Sequence, residues 1–464
     1  MPSEWSSLLP GLAWELAPGR FIGAQMQDQL RGWIRDGRLR PGDVLPSSRR
    51  LASHLGVSRG TVSQVYEQLT AEGYLDTRTG AAPRVAVRGA AQARSTGAVQ
   101  RSRPLAIDFR PGVPDLGSFP VQDWVRCVGE AARDGGRDVF GYGDPRGDAE
   151  MRAGVAGYLR RVRAAAAEPE NVVVCAGFAQ GLRLVLAVLA GRNVRTLALE
   201  DPGDPSLVAV ARTLGLEVVA VHVDEQGLDV NALNRSGARA VVLTPAHQSP
   251  TGAALSPDRR RALVEWAKRV DGWVIEDDYD SEFRYDRAPL GVVQGLMPDR
   301  VALLGSTSKT LAPALRLGWV VAPPAMAGEV AAVKVALDRG SPSIDQRALA
   351  GLLRTGRYEK HIRRMRAVYS ERRETLVDVL ARVTPASRLS GLAGGFHAVL
   401  ELPRGRTEAS VLDAARSRSV GLYAFGAHRT GTGAHSPALV LGYGNTSVTA
   451  ITQGIEAVGD LLRP

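Results

Sequence analysis

From about residue 105 onward, short apolar runs alternate with amphipathic helical stretches, and that alternation admits few architectures. Asn171-Val172-Val173-Val174-Cys175 reads as a buried strand running into a turn of small residues, Ala176-Gly177-Phe178-Ala179-Gln180-Gly181, and then into an amphipathic helix. Val241-Val242-Leu243-Thr244-Pro245 and Trp273-Val274-Ile275-Glu276-Asp277 are further strands that end in polar loops. Apolar strands joined by helices predict a mostly parallel sheet with helices on both faces. Ligand groups in such sheets gather at the carboxyl ends of the strands. A small-residue turn at a helix N-terminus offers free backbone N–H groups that suit a phosphate. Every α/β fold has such turns, so this one gains meaning only from its neighbours.

At 464 residues the chain exceeds one ordinary core, and two or three domains are expected. The 44% hydrophobic content and 51 glycines suit a soluble α/β protein. Charge is uneven: residues 1–103 hold 14 Arg against 8 acidic residues, a net +6 of the +10 carried by the whole chain. That imbalance favours an acidic partner such as DNA, although a general drift toward Arg contributes to it. Cys127 and Cys175 lie in apolar surroundings without CxxC spacing and read as core residues rather than ligands or a disulfide. No metal site is expected. Glu4 and Glu15 near the start, with no basic stretch, do not make a signal peptide. The longest apolar stretch, Leu184 to Ala190, is far too short to span a bilayer. A cytoplasmic protein with no membrane partner is expected.

Lys309 is one of four lysines beside 54 arginines. It lies in Gly305-Ser306-Thr307-Ser308-Lys309-Thr310, after the apolar run Val301-Ala302-Leu303-Leu304. A guanidinium never deprotonates, whereas an ε-amine can condense with an aldehyde, so Arg could not replace a nucleophilic lysine here. Taken alone it reads as a surface loop lysine, and only its neighbours reverse that reading. Asp277 ends a strand 32 residues earlier, and a buried carboxylate keeps a pyridine nitrogen protonated. Tyr279 can hydrogen-bond a ring phenolate, and Ser306, Ser308 and Arg316 lie close enough in sequence to hold a phosphate. Together these residues point to a Schiff-base lysine for pyridoxal 5'-phosphate (PLP).

The N-terminal quarter reads differently. Ile22, Met26, Leu30, Trp33 and Ile34 mark an amphipathic helix over 21–37. A second helix opens at Pro46-Ser47-Ser48, capped by Ser47 or Ser48, and closes at Gly56. A third starts at Ser58 and turns Val62, Val65, Tyr66 and Leu69 inward, leaving Arg59, Gly60, Thr61, Ser63 and Gln64 outward. Two short helices around Leu55-Gly56-Val57 with such an outward face fit a helix-turn-helix; a three-helix bundle unrelated to DNA would satisfy the same periodicity. Tyr74–Thr77 and Arg84–Val87 fit a two-stranded wing around Thr79-Gly80. Residues 89–104 have linker composition.

Several motifs resemble known families. Gly37-Arg38-Leu39, Pro41-Gly42, Leu45-Pro46-Ser47-Ser48-Arg49, Leu55-Gly56-Val57-Ser58-Arg59 and Tyr66-Glu67-Gln68-Leu69 with Glu72-Gly73-Tyr74-Leu75 are similar to the winged helix of GntR-family regulators. By that resemblance Arg49, Ser58, Arg59, Thr61 and Ser63 contact DNA. Tyr142-Gly143-Asp144-Pro145, Glu200-Asp201-Pro202-Gly203, Thr244-Pro245-Ala246-His247-Gln248, Glu276 to Tyr285 and Ser308-Lys309-Thr310-Leu311-Ala312-Pro313 resemble the aminotransferase fold of PLP enzymes. In this order the two resemble the MocR/GabR regulators. The resemblance implies a winged helix over 15–88, a linker over 89–104 and an aminotransferase-like α/β domain over 105–464, with a large part at 140–340 and a small part at 345–464. It implies a head-to-tail homodimer on a double-stranded operator, and a cofactor set of Lys309, Asp277, Tyr279, Ser306, Ser308, Arg316, Gly177 and Phe178. Tyr142 would reach the phosphate across the interface, and His247 or Gln248 would approach the ring oxygen.

Two positions depart from the pattern. Asp204 stands where relatives usually carry an aromatic that stacks on the pyridine ring, with Phe178 as a substitute. Val440 stands where aminotransferases carry an Arg that grips the substrate carboxylate, with Arg429 as a candidate replacement. The reading is a transcription regulator that senses PLP, alone or with a small amine or amino acid. An active aminotransferase with an attached DNA module, and a DNA-binding protein with a cofactor-free dimerisation scaffold, stay open as alternatives.

Overall fold

The computed structural model describes residues 12, 14–17, 21–77, 81–86, 105–285, 290–385, 387–391, 394–431, 433 and 435–463. The chain divides into two compact units, Met1–Ser102 and Arg103–Pro464. The expected linker over 89–104 lies outside the described residues, as does the wing tip at Thr79-Gly80.

In the smaller unit three helices span Ile22–Arg35, Ser48–Leu55 and Arg59–Ala71. Met26, Leu30, Trp33 and Ile34 from the first meet Leu51 and Ala52 from the second and Val62, Val65, Tyr66 and Leu69 from the third in one buried cluster. Capping fixes the helix boundaries. Ser47 accepts the N–H of Arg50, Gly56 ends the second helix in the left-handed region at φ 68°, and Ser58 Oγ accepts the N–H of Thr61. The first helix stops two residues earlier than its periodicity suggests. An antiparallel pair, β1 (Leu75–Asp76) and β2 (Arg84–Val85), follows and supplies the expected wing strands, shorter than their sequence runs.

The larger unit begins with β3 (Ile107–Asp108). Its main sheet contains β4 (Val172–Cys175), β5 (Thr196–Asp201), β6 (Glu217–Asp224), β7 (Gly227–Leu228), β8 (Ala240–Leu243), β9 (Trp273–Asp278), β10 (Val301–Ser306) and β11 (Gly318–Val321). They run in the order β4-β11-β10-β9-β8-β5-β6-β7. The central five, β10-β9-β8-β5-β6, are parallel, and β11 and β7 pair antiparallel with their neighbours.

Side chains alternate across this sheet with the two-residue period of a strand. Ala240, Val242, Trp273, Ile275, Ala302 and Leu304 pack with Leu182, Val185, Leu186 and Leu189 of the helix Phe178–Gly191. Val241, Leu243, Val274 and Val301 point the other way, onto Leu263, Trp266 and Ala267 of the helix Pro257–Arg269. Both faces are therefore covered, as the apolar runs require. A 27-residue helix, Arg357–Val383, precedes a second, antiparallel sheet of β12 (Leu389–Ser390), β13 (His397–Glu401) and β15 (Ala438–Gly442); β14 (Val420–Gly421) pairs in parallel with β3. Cys127 and Cys175 are buried and free. Among the described residues no helix is long and apolar enough to cross a membrane.

Gly305, near the end of β10, pairs with Trp319 of β11, whose indole lies where a Cβ on residue 305 would stand. Gly305→Ala must move that buried ring or the strand leading to Lys309. It should lower unfolding free energy by about 1–3 kcal/mol, read from denaturant titration. An unchanged midpoint would show that the indole can move freely.

Candidate functional site

The ends of β4, β5, β8, β9 and β10 surround a cavity of about 550 Å³. β9 brings Asp277 to it, with Tyr279 just beyond the strand. β10 brings Ser306, and the turn after it Ser308 and Lys309. Phe178 comes from the helix after β4, Glu200 from β5, Thr244 from the end of β8, and Val440 from β15 of the second sheet.

Lys309 Nζ donates to the carbonyl of Gly112. Burial lowers its amine pKa, against the opposing pull of Asp277, Asp280 and Asp204. A lowered value keeps more of the amine neutral, which is its nucleophilic form. Burial pushes the Asp277 carboxyl well above the usual range, Asp278 adds to the rise, and Lys309 opposes it. A carboxyl in that position is relieved by a cation in the cavity, such as a protonated ring nitrogen. Burial also raises the Tyr279 phenol well above its ordinary value, with Asp280 next, so the hydroxyl keeps its proton. That hydroxyl lies 3.1 Å from His247 Nδ1, which lies 2.9 Å from Asp280 Oδ2.

At the other side of the lysine turn, the helix Phe178–Gly191 begins with no side-chain cap, and Gly177 adopts φ 84°. The Arg316 guanidinium donates to the carbonyl of Ala176 at 2.6 Å. A Cβ on Gly177 would stand 3.5 Å from both terminal nitrogens of Arg316, in van der Waals contact with the guanidinium. Uncapped helical N–H groups, a guanidinium and the Ser306 and Ser308 hydroxyls make an anion-binding end. The residues present thus offer a partner for each polar part of PLP: an amine for its aldehyde, a buried carboxyl for its ring nitrogen and a cradle for its phosphate.

The structure does not bring every expected residue to the cavity. Gln248 turns away, donating to the carbonyls of Pro202 and Ser249 at 2.8 Å and accepting from Thr251 N at 3.0 Å, so it braces loops. His247 sits behind Tyr279 rather than on the cavity wall. Tyr142 is 81% exposed and does not line the cavity within one chain. Arg429 is held by Asp201 at 3.0 Å and is likewise absent from the lining. Phe178, Asp204 and Val440 do line it.

Sequence reasoning missed Glu200, His397 and His428, which also face the cavity. Glu200 Oε2 accepts from Thr244 N at 3.1 Å and Thr244 Oγ1 at 2.6 Å. Its place at the end of an apolar run was a usable signal. His397 follows Phe396 in β13, a second-sheet strand, and no local pattern points it toward Lys309. Burial lowers His397 to about 3 and also lowers His428, keeping both imidazoles neutral near pH 7. His247, Asp280 and His397 bring three potential metal-ligating atoms within 4.8 Å of one another. The hydrogen bond from His247 to Asp280 accounts for that pair without a metal ion.

In the smaller unit Arg49 and Arg59 are exposed near the starts of the second and third helices. Ser58 and Thr61 are tied to each other, their hydroxyls 2.8 Å apart, so both serve the helix start. Ser63 is half-buried one turn further on.

A three-helix unit with a two-stranded wing is thus joined to an α/β unit of the aminotransferase type. Residues 23–85 match the bacterial regulatory proteins of the gntR family, and residues 107–413 match aminotransferase class I and II. The chain is 35% identical to the HTH-type pyridoxine biosynthesis transcriptional regulator PdxR of Corynebacterium glutamicum, over 95% of both chains. It is 33% identical to the probable rhizopine catabolism regulatory protein MocR of Rhizobium meliloti, over 77% of each. The larger unit is similar to LysN, an α-aminoadipate aminotransferase of Thermus thermophilus solved with N-(5'-phosphopyridoxyl)-L-leucine, with a TM-score of 0.69 and 26% identity, covering 77% of this chain and 92% of that one. The chain belongs to the family of HTH-type transcriptional regulators that join a GntR domain to an aminotransferase class I and II domain.

Glu200 is pushed from its ordinary 4.5 to about 7, chiefly by burial. Because the folded value is raised, its contribution to stability is fully present below about pH 4.5 and is lost as pH rises through about 7. The thermal midpoint should therefore fall between about pH 5 and pH 8. Glu200→Gln, which removes this titration, should flatten the fall by about 3 kcal/mol of unfolding free energy. Parallel wild-type and variant curves would assign the slope to other groups.

Proposed function

We propose that this chain is a DNA-binding transcription regulator whose larger unit binds PLP on Lys309 and uses that site as an effector sensor. One observation carries the reading. A half-buried amine with a lowered pKa shares one cavity with the raised carboxyl of Asp277 and with Ser306, Ser308 and Arg316, and Gly177 lies against the Arg316 guanidinium. When bound, PLP supplies an aldehyde for an amine and an electron-withdrawing ring. The protein's part is to hold the ring nitrogen with Asp277, the phenolic oxygen with Tyr279 and the phosphate with Ser306, Ser308, Arg316 and the helix N-terminus, while Phe178 packs nearby.

DNA contact belongs to the starts of the second and third helices of the smaller unit, with Arg49 of the second and Arg59 of the third reaching phosphates or base edges and Ser58, Thr61 and Ser63 around them. Function as a homodimer is supported by the exposed side chains Val121, Val125, Phe140 and Tyr142 on the larger unit, which a second copy would cover. In that dimer Tyr142 reaches the partner's phosphate site. An effector alters DNA affinity only if the DNA-competent and incompetent arrangements bind it with different strength. Turnover of amino acids is the second reading, favoured by the presence of Lys309, Asp277 and Tyr279 together. Val440 and Asp204 on the cavity wall oppose it, and sustained conversion of an amino acid–oxo acid pair would decide for it.

Titration with PLP should give an imine absorption band, distinct from that of free PLP, in wild-type protein and not in Lys309→Ala; such a band in neither would remove PLP as the effector. Arg59→Ala should weaken binding to the DNA upstream of the protein's own gene by about tenfold in a band-shift titration, within the 1–3 kcal/mol of one good contact. It should leave the PLP band unchanged, and unaltered affinity would take Arg59 off the DNA surface.

A further inference from the structure

The cavity around Lys309 has two chemically different ends. The anion end, already described, uses its guanidinium locally: Arg316 donates to Ala176 and lies over Gly177. The other end is formed by Asp204, Ala427, His428, His397 and Val440. Gly203 N donates to the carbonyl of His428 at 2.8 Å, which ties the Asp204 loop to the second-sheet segment carrying His428. Asp204 is within electrostatic reach of both Lys309 and His428. Among the described residues, Lys309 and Arg316 are the only Lys or Arg side chains lining the cavity. Arg429, the nearest candidate in sequence, is spent on Asp201, which also accepts Thr430 N at 3.0 Å.

We propose that the effector admitted here is a short aliphatic diamine, a molecule with a second ammonium group and no carboxylate, whose far ammonium lies against Asp204. The proposal rests on the PLP reading above and adds the class of ligand that reading leaves open. A ligand carboxylate at this end would face Asp204, a like charge, and the apolar side chain of Val440, with only neutral imidazoles beside it. A second ammonium meets the Asp204 carboxylate instead. A monoamine makes neither contact and ranks between them, because Asp204 is exposed at the rim and loses little when left to water. Asp204 also supports the backbone, since its Oδ1 accepts Ser206 N at 2.9 Å, at the start of the helix Ser206–Thr213. Asparagine keeps that acceptor while removing the charge, which makes Asp204→Asn the informative substitution.

The experiment is calorimetric titration of the full-length protein, loaded with PLP, using three probes with the same four-carbon chain: 1,4-diaminobutane, butylamine and 4-aminobutanoate. The wild type should bind 1,4-diaminobutane at least about tenfold tighter than 4-aminobutanoate, with butylamine between. Asp204→Asn should bring the diamine down to the level of butylamine, and Val440→Arg should reverse the order in favour of 4-aminobutanoate. Equal or tighter binding of 4-aminobutanoate by the wild type overturns the proposal without recourse to a variant, as does binding of none of the three. The PLP absorption band separates the two levels of inference. With the band present and no diamine preference, only the effector class fails; with no band, the cofactor reading fails and this one with it.

Discussion

The run Glu276 to Glu282 puts five carboxyls into seven residues, and the fold rests on how that charge is buried. Arg163, fully buried at the end of the helix Ala149–Arg163, grips Asp278 with two hydrogen bonds of 2.8 and 2.9 Å and also donates to the carbonyl of Leu290. Glu276 accepts the N–H groups of Val293 and Gln294 at 3.0 and 2.8 Å. Removing one partner of such a buried pair leaves an uncompensated charge, at a cost of about 3–5 kcal/mol. The strand period then does the sorting. Glu276 and Asp278 point to the structural side and are satisfied by protein, whereas Asp277 and Tyr279 point into the cavity. Arg163 thereby fixes the register in which the cavity's own carboxyl is presented.

Close backbone packing sets the rest of the cavity. Gly318 of β11 abuts Gly177, and Gly305 leaves room for the Trp319 indole, so the end of β10 and the start of the helix Phe178–Gly191 approach each other without side chains between. An uncapped helix N-terminus then faces the lysine turn. The same geometry explains the uneven electrostatics: basic groups collect where the helix dipole already favours an anion, and the opposite end is left to Asp204 and neutral imidazoles.

The smaller unit was largely legible in the sequence. Its three helices are bounded by residues with local reasons to sit there, Ser47, Gly56 and Ser58, and its buried positions follow one helical period. In the larger unit the strands were equally plain, because parallel strands buried on both faces read as continuous apolar runs. Lys309, Asp277, Ser306, Ser308, Arg316 and Phe178 could be picked out because each lies at or just beyond a strand or helix end. Gln248 and His247 also follow a strand end, and chain position could not tell that one braces loops while the other stands behind Tyr279. His397 and His428 were invisible: they belong to the second sheet and its connecting turn, and reach the cavity only when the two sheets pack.

Local chemistry therefore determined the elements, their caps and the place of Lys309 in the turn after β10, since these depend on neighbours within a few residues. Tertiary structure alone decided which carboxyls are neutralised by Arg163, which side chains share the cavity with Lys309 and what charge its far end carries. Those properties depend on burial and on residues up to a few hundred positions apart, such as the 115 that separate Arg163 from Asp278. Desolvation and Coulomb energies follow distance in space, and no spacing along the chain encodes them.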